Sequence, residues 1–424
     1  MRPNLNINNK KKIINDPVYG FISLSKDIIF DIIEHPFYQR LRRIKQLGLS
    51  HLVYPGALHT RFHHAIGATH LMMKAIQTLK YKGIDISEEE ETGVLLAILL
   101  HDVGHGPFSH TLEHDIIKGV SHEELSLLFM KRLNEEFSGQ LTMAIEIFEN
   151  KYEKPFLHQL VSSQLDMDRM DYLNRDSFYT GVSEGVIGSD RIISMLNVVD
   201  DNLVVEEKGV YSIEKFLVAR RIMYWQVYMH KTVVSSEVLL TSILRRAKFL
   251  VHNGEDVFSS PAFKYFLENN FTLDQLKANK HILDQFAQLD DFDIMGAVKV
   301  WQNHSDKVLS NLSTFLINRR LFKIEILKEP FSEKRVTYEL QQIKETYGLT
   351  NEEAKFFVHT DMLRNNAYNE NIENINLYMK DGHIKDVSKA ADNFNIHALS
   401  EPVEKYYLCY PAANVNNKDS IVEK

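Results

Sequence analysis

Apolar residues recur at three- and four-residue intervals over most of the first 250 positions. Segments 28–47, 61–79, 89–101, 121–133 and 213–247 each show this spacing, which predicts helices. Ser87 before Glu88-Glu89-Glu90 reads as an N-cap followed by acids in the first turn. Gly104, Gly106 and Pro107 stop the next element soon after His101. Strand signals are fewer. Segments 202–206 and 210–213, separated by Glu207-Lys208-Gly209, predict a short hairpin, and segments 375–379 and 383–387 flank Asp381-Gly382, a strong turn signal. The pattern predicts a mainly α protein. A helical domain over residues 1–250 carries its chemistry at about residues 60–180, and a smaller α+β portion covers residues 251–424.

Composition adds exclusions. Of the 424 residues 44% are apolar and 25% charged, which suits a globular chain with a real core. The formal charge of −8 disfavours a binder of duplex nucleic acid, which normally carries a basic surplus. A single cysteine, Cys409, excludes an intramolecular disulfide and a cysteine-rich zinc site. The longest purely apolar run, residues 94–100, is far short of the roughly 20 residues that cross a bilayer. With no apolar stretch behind the early lysine run, the chain is expected to be cytoplasmic, without a membrane partner.

The placement of histidine points to chemistry. Residues 101–110 read His-Asp-Val-Gly-His-Gly-Pro-Phe-Ser-His and follow directly on the apolar helix. Adjacent helical side chains diverge by about 100°, yet at a helix end an imidazole nitrogen and a carboxylate oxygen can reach one ion. A buried aspartate beside a histidine is costly unless it is paired or metallated. Two more segments offer partners: Arg61-Phe62-His63-His64 at a helix start, and the acidic run 166–176, interleaved with Met167, Met170 and Leu173. Two imidazoles with two carboxylates suit a borderline divalent ion (Fe, Mn, Zn, Ni or Co) and leave positions for water and a phosphate oxygen. Only one of the adjacent pair His63 and His64 can point inward.

These residues resemble the HD-domain phosphohydrolases, and most closely their deoxynucleoside triphosphate triphosphohydrolase branch. The resemblance runs from about Ile14 to Lys231 through several motifs in order: Asn15-Asp16-Pro17-Val18-Tyr19-Gly20, residues 39–48, Tyr54-Pro55-Gly56-Ala57, residues 59–64, residues 101–110, Ser121-His122-Glu123, residues 166–176 and Tyr228-Met229-His230-Lys231. It implies one divalent transition metal on His64, His101, Asp102 and Asp168, with magnesium accompanying the nucleotide phosphates as a further expectation; His63 is then expected to be structural, and Asp166 and Asp171 to cap the helix or support ligands rather than to ligate. It makes His122 the catalytic histidine beside the α-phosphate, oriented by Glu113, where mammalian members have aspartate. Arg61, His105, His110, Arg169, Tyr172, Asp176, Arg220, Tyr228 and Lys231 align with residues around the phosphates and sugar. Gln46 and Leu47 match positions that touch the base and crowd a ribose 2′-hydroxyl, which implies a preference for deoxyribose. Arg169 replaces a lysine and so changes the donor geometry; Tyr224 stands where mammalian members have histidine, which puts one substrate contact in doubt.

Lys12, Ile13, Asn15, Glu34, Gln39 and Arg42 resemble an effector-nucleotide pocket assembled between subunits, with Glu34 where a guanine-selecting aspartate stands. The implied activity is hydrolysis of a dNTP to deoxynucleoside and inorganic triphosphate, with a dNTP or GTP effector and a homo-oligomer, tetramer or dimer. Two alternatives remain: another HD phosphohydrolase acting on nucleotide monoesters or phosphodiesters, and a non-catalytic nucleotide-sensing scaffold. The signatures of cyclic-dinucleotide and alarmone hydrolases are absent, and the presence of all four ligands and His122 argues against a silent site.

Overall fold

The computed structural model describes residues 12–24, 26–365, 368, 374–390 and 402–412, apart from the side chains of residues 109, 110, 113 and 114. An antiparallel hairpin comes first, β1 (Lys12–Asp16) and β2 (Gly20–Leu24), followed by α1 (Asp27–Glu34). The helix expected to run to residue 47 stops at His35, which is extended because Pro36 follows it. Residues 36–39 then form one further helical turn and residues 40–43 a tighter one.

Helix α2 (Arg61–Tyr81) starts at Thr60, whose backbone N–H donates to His63 Nδ1 at 3.2 Å. His63 therefore caps the helix, and His64 faces the interior, fully buried. Helix α3 (Glu88–Leu100) begins at Ser87, whose hydroxyl accepts the Glu90 N–H while the Glu90 carboxylate accepts the Ser87 N–H. Residues 94–100 are buried on every side, which makes α3 a central helix rather than an amphipathic one. Helices α4 (Ser109–Ile116), α5 (His122–Glu136) and α6 (Met167–Thr180) follow, and α6 lies along α2.

Strands β3 (Leu196–Val199) and β4 (Asn202–Glu206) pair through a turn with Asp200 and Asp201 in the left-handed region. The strand expected over residues 210–213 is instead the first turn of α7 (Val210–Met223). Val210 and Ile213 stand three apart and continue, with Phe216 and Leu217, a stripe packed on the core. The continuous helix expected over residues 213–247 is also broken. Residues 224–228 widen into a π-turn, and the extended His230 caps α8 (Lys231–His252).

Beyond α8 come short helices, among them α9 (Asp291–Trp301), and then β5 (Lys323–Leu327), β6 (His359–Asn365), β7 (Asn376–Tyr378), β8 (Ile384–Asp386) and β9 (Val403–Tyr410). One sheet has the order β5-β9-β6 and the other β3-β4-β7-β8, in which β7 pairs parallel with β4. The hairpin expected around Asp381-Gly382 is β7–β8. Helix makes up 58% of the structure, so the fold is mainly α with a smaller α+β C-terminal portion. One apolar core joins the two, and no described helix is long and apolar enough to cross a membrane.

Candidate metal centre

Three helix ends bring four side chains together: His64 in the first turn of α2, His101 and Asp102 at the C-terminal end of α3, and Asp168 in the first turn of α6. His64 Nε2 lies 3.3 Å from His101 Nε2 and 3.0 Å from Asp168 Oδ1. His101 Nε2 is 3.6 Å from Asp168 Oδ1 and 3.3 Å from Asp102 Oδ1, and Asp102 Oδ2 is 3.7 Å from His64 Nε2.

The hydrogen bonds on the far side of each ring decide what these atoms can bind. His64 Nδ1 donates to Asp171 Oδ2 at 2.7 Å, and His101 Nδ1 donates to the Ile98 carbonyl at 2.6 Å. Each neutral imidazole thus commits its one N–H at Nδ1 and presents a lone pair at Nε2. Two lone pairs facing each other beside carboxylates repel unless a cation sits among them. Ligands about 2.0–2.2 Å from a common ion stand roughly 3–3.6 Å apart, as those of His64, His101 and Asp168 do. The donor set fits a divalent transition metal. Burial opposes charge on His64, but the hydrogen bonds it donates to Asp168 and Asp171 overcome this and push its pKa up to about 10. Burial also opposes charge on His101, which is nonetheless raised by Asp102 and Asp168. Asp102 is buried and Asp168 half-buried, yet the cations around them hold both carboxylates well below the usual range.

The 101–110 loop packs tightly on α5. A Cβ at Gly104 would lie 2.2 Å from the Ser126 nitrogen and 2.3 Å from the His122 oxygen, so only glycine permits this approach. The Ser126 hydroxyl accepts the Gly104 N–H at 2.9 Å and donates to the His101 carbonyl at 2.7 Å. The approach stacks the His122 ring on His105, centroids 4.0 Å apart, and His105 Nε2 lies 3.0 Å from Asp102 Oδ1. Asp102, His105 and His122 thereby form a second group of metal-ligand type beside the first. The side chains of Glu113 and His110 lie outside the described residues.

Of the predicted cations, Arg61 donates from Nη1 to Asp102 Oδ2 at 2.6 Å, and Arg169 pairs with Asp166, which caps α6 by accepting the Arg169 N–H at 2.7 Å. Arg220 is only 9% exposed. Its Nε and Nη1, Arg61 Nε and Arg169 Nε have no partner among the described residues. The Arg220 guanidinium stands 6.0 Å from the Tyr224 ring, and Tyr228 packs against both Tyr224 and Tyr172. Asp176 is buried and accepts from the Tyr228 hydroxyl and from His59 Nε2, each at 2.7 Å. The Gln46 N–H donates to the His59 carbonyl at 3.0 Å, while Gln46 Oε1 is buried without a partner among the described residues. Leu47 is half-buried and Lys231 is exposed at the start of α8.

The residues predicted for an effector form surface pairs. Lys12 pairs with Glu34, Arg42 Nε donates to Gln39 Oε1 at 2.9 Å, and Ile13 and Asn15 are exposed on β1.

Sequence reasoning missed Arg40, His59 and Asp291. Arg40 is fully buried and donates to the Val103 and His105 carbonyls at 2.8 and 2.7 Å, holding the 101–110 loop from beneath. Asp291 on α9 accepts the backbone N–H groups of Phe108 at 3.1 Å and Lys45 at 3.0 Å. It thus fastens Phe108, a bulky residue at φ +48°, where such residues rarely sit. Arg40 and His59 stood inside the motifs quoted above. Asp291 carried no signal, being 183 residues from Phe108.

The profile of the HD domain matches residues 61–176, and that of the HD associated region matches residues 187–254. A crystal structure of a phosphohydrolase from Bacteroides thetaiotaomicron matches this fold with a TM-score of 0.92 and 55% identity, over 95% of this chain and 100% of that one. The protein YwfO of Bacillus subtilis is 31% identical over 90% of this chain and 88% of its own length. The deoxynucleoside triphosphate triphosphohydrolase SAMHD1 homolog of Dictyostelium discoideum is 33% identical over 56% of this chain and 49% of its own, so this chain spans about half of that relative. With the His-Asp geometry and these matches together, the chain belongs to the HD-domain phosphohydrolase family, as a relative of its deoxynucleoside triphosphate triphosphohydrolases.

Proposed function

We propose that this chain hydrolyses deoxynucleoside triphosphates to deoxynucleoside and inorganic triphosphate, with one divalent transition metal held by His64, His101, Asp102 and Asp168. The observation that carries the reading is the pair of opposed Nε2 lone pairs beside two carboxylates, with an N–H group on each of Arg61 and Arg169 that has no partner among the described residues. Similarity to the Dictyostelium deoxynucleoside triphosphate triphosphohydrolase homolog supports the substrate class.

When bound, the metal lowers the pKa of its water from 15.7 towards about 7 and polarises a phosphoryl oxygen. Arg61, Arg169, Arg220 and Lys231 offer fixed positive charge to the triphosphate and to the anionic transition state, with His110 a further phosphate contact. His122 has 23% of its side chain exposed, enough to meet substrate, and donates a proton to the departing 5′-oxygen. His105 stacks beneath it and Glu113 orients it. Tyr172, Asp176 and Tyr228 form the sugar side, with Gln46 towards the base and Leu47 disfavouring a 2′-hydroxyl. Magnesium accompanies the nucleotide phosphates. A dNTP or GTP effector at Lys12, Ile13, Asn15, Glu34, Gln39 and Arg42, a homotetrameric assembly and a cytoplasmic location belong to the same proposal.

Incubating metal-loaded protein with each dNTP, alone and in pairs, and resolving the products by chromatography tests the reading. Deoxynucleoside plus triphosphate is the expected outcome. Release of dNDP or dNMP would discard it.

A further inference from the structure

A buried chain of charges connects the N-terminal hairpin to His64. Asp16, at the end of β1, accepts the N–H groups of Val18 and Tyr19 on Oδ1 at 2.9 and 3.0 Å, which fixes the hairpin turn. Its other oxygen accepts from Arg175 Nη1 at 2.7 Å. Arg175 donates from Nε and Nη2 to the two oxygens of Asp171 at 2.9 and 3.0 Å, and Asp171 Oδ2 accepts the N–H of His64 Nδ1 at 2.7 Å. The side chains of His64, Asp171 and Arg175 are 0% exposed and that of Asp16 is 2% exposed.

Helix α2 leaves room for this chain only because residue 67 is glycine. A Cβ there would lie 2.0 Å from Arg175 Nη2 and 2.1 Å from Asp171 Oδ1. Gly67 stands three residues after His64, on the same helix face. Arg175 also lies 5.5 Å from the Tyr19 ring centroid, so the hairpin grips the guanidinium through both its acid and its aromatic ring.

We infer that Asp16, Arg175 and Asp171 form a positioning relay through which an ordered N-terminal hairpin strengthens His64 as a metal ligand. The inference rests on the metal reading of His64 and not on the identity of the substrate. The direction follows from charge. A carboxylate that accepts the Nδ1–H makes the imidazole a better ligand at Nε2. Arg175 alone would neutralise that carboxylate and weaken the effect. Asp16 shares the guanidinium, leaving one net negative charge in the buried triad and more of it on Asp171. Because the coupling is an equilibrium property, a metal on His64 must in turn stabilise the hairpin.

The test uses the full chain stripped of metal and titrated with cobalt(II), whose visible spectrum reports its ligands. Amide exchange of residues 12–24 is followed with and without the ion. Asp16→Asn is expected to weaken cobalt binding about 10-fold and Arg175→Lys by a similar factor, the lower end for residues that support a ligand. In the wild type, cobalt should slow exchange across the hairpin, a readout that needs no variant to fold. Wild-type cobalt affinity in Asp16→Asn, or hairpin exchange indifferent to cobalt, would overturn the relay while leaving the metal reading intact. A wild-type protein that takes up no cobalt removes the metal reading, and the relay with it.

Discussion

His64, His101 and Asp102 are buried and Asp168 half-buried, and each imidazole ring is committed at Nδ1 and faces the other ring's lone pair with its Nε2. Lys12, Glu34, Gln39 and Arg42 use equally charged and polar side chains, but near the surface, where they satisfy one another and water reaches them. The contrast teaches where charge matters. Removing one member of an exposed pair lets water replace it at little cost, whereas removing one member of a buried cluster leaves the others uncompensated. The interior group is therefore incomplete without a cation, and the surface group is not.

The largest expected effect is at the interior. Asp168→Ala should lower metal affinity by more than about 100-fold, beyond what a merely supporting residue contributes, and abolish turnover with it. Elemental analysis after dialysis reads the first and product release the second. A variant that keeps its metal would break the contrast.

Next, His122→Ala should retain the metal yet lose about 10²- to 10⁴-fold in turnover, the range for a general acid. Undiminished turnover would remove His122 from the chemistry.

The pH dependence sharpens the comparison. His64 has an ordinary value of 6.5 and a folded, metal-free value of about 10. Its proton therefore stabilises the metal-free fold fully below pH 6.5, and that stabilisation is lost as pH rises to about 10. Metal must displace the proton, so its affinity should rise with pH at every pH below about 10, with proton release on binding. Calorimetry in buffers of different ionisation enthalpy measures this; no proton release at pH 7 would contradict it.

The smallest effect belongs to the surface. Lys12→Ala should change stability by no more than about 1 kcal/mol in a thermal melt and leave metal content unaltered. A loss as large as that of Asp168→Ala would erase the distinction between the regions.

What the sequence revealed follows the same division between local and distant. The helix start near Arg61 and the N-cap at Ser87 depend on neighbours a few residues away, and they were legible, whereas the choice of His64 over His63 came from the family resemblance. The HD ligand segments stood out because acids and histidines among apolar residues are rare without a partner. The first turn of α7 was read as a strand because Val-Tyr-Ser-Ile alternates as well as it turns, and only packing of Ile213, Phe216 and Leu217 on the core decides between them. The break over residues 224–228 has no proline or glycine to announce it. Arg175 and Asp16 lie 159 residues apart, and Asp291 and Phe108 183 apart; such pairings exist only after folding.

The central claim is that four side chains distant in sequence close around one ion. Anomalous diffraction from manganese- or cobalt-loaded crystals, collected at the metal's absorption edge, tests it most directly. A single strong peak is expected about 2.0–2.3 Å from His64 Nε2, His101 Nε2 and the carboxylates of Asp102 and Asp168. No peak at that position, or one that Asp168 does not reach, would contradict it.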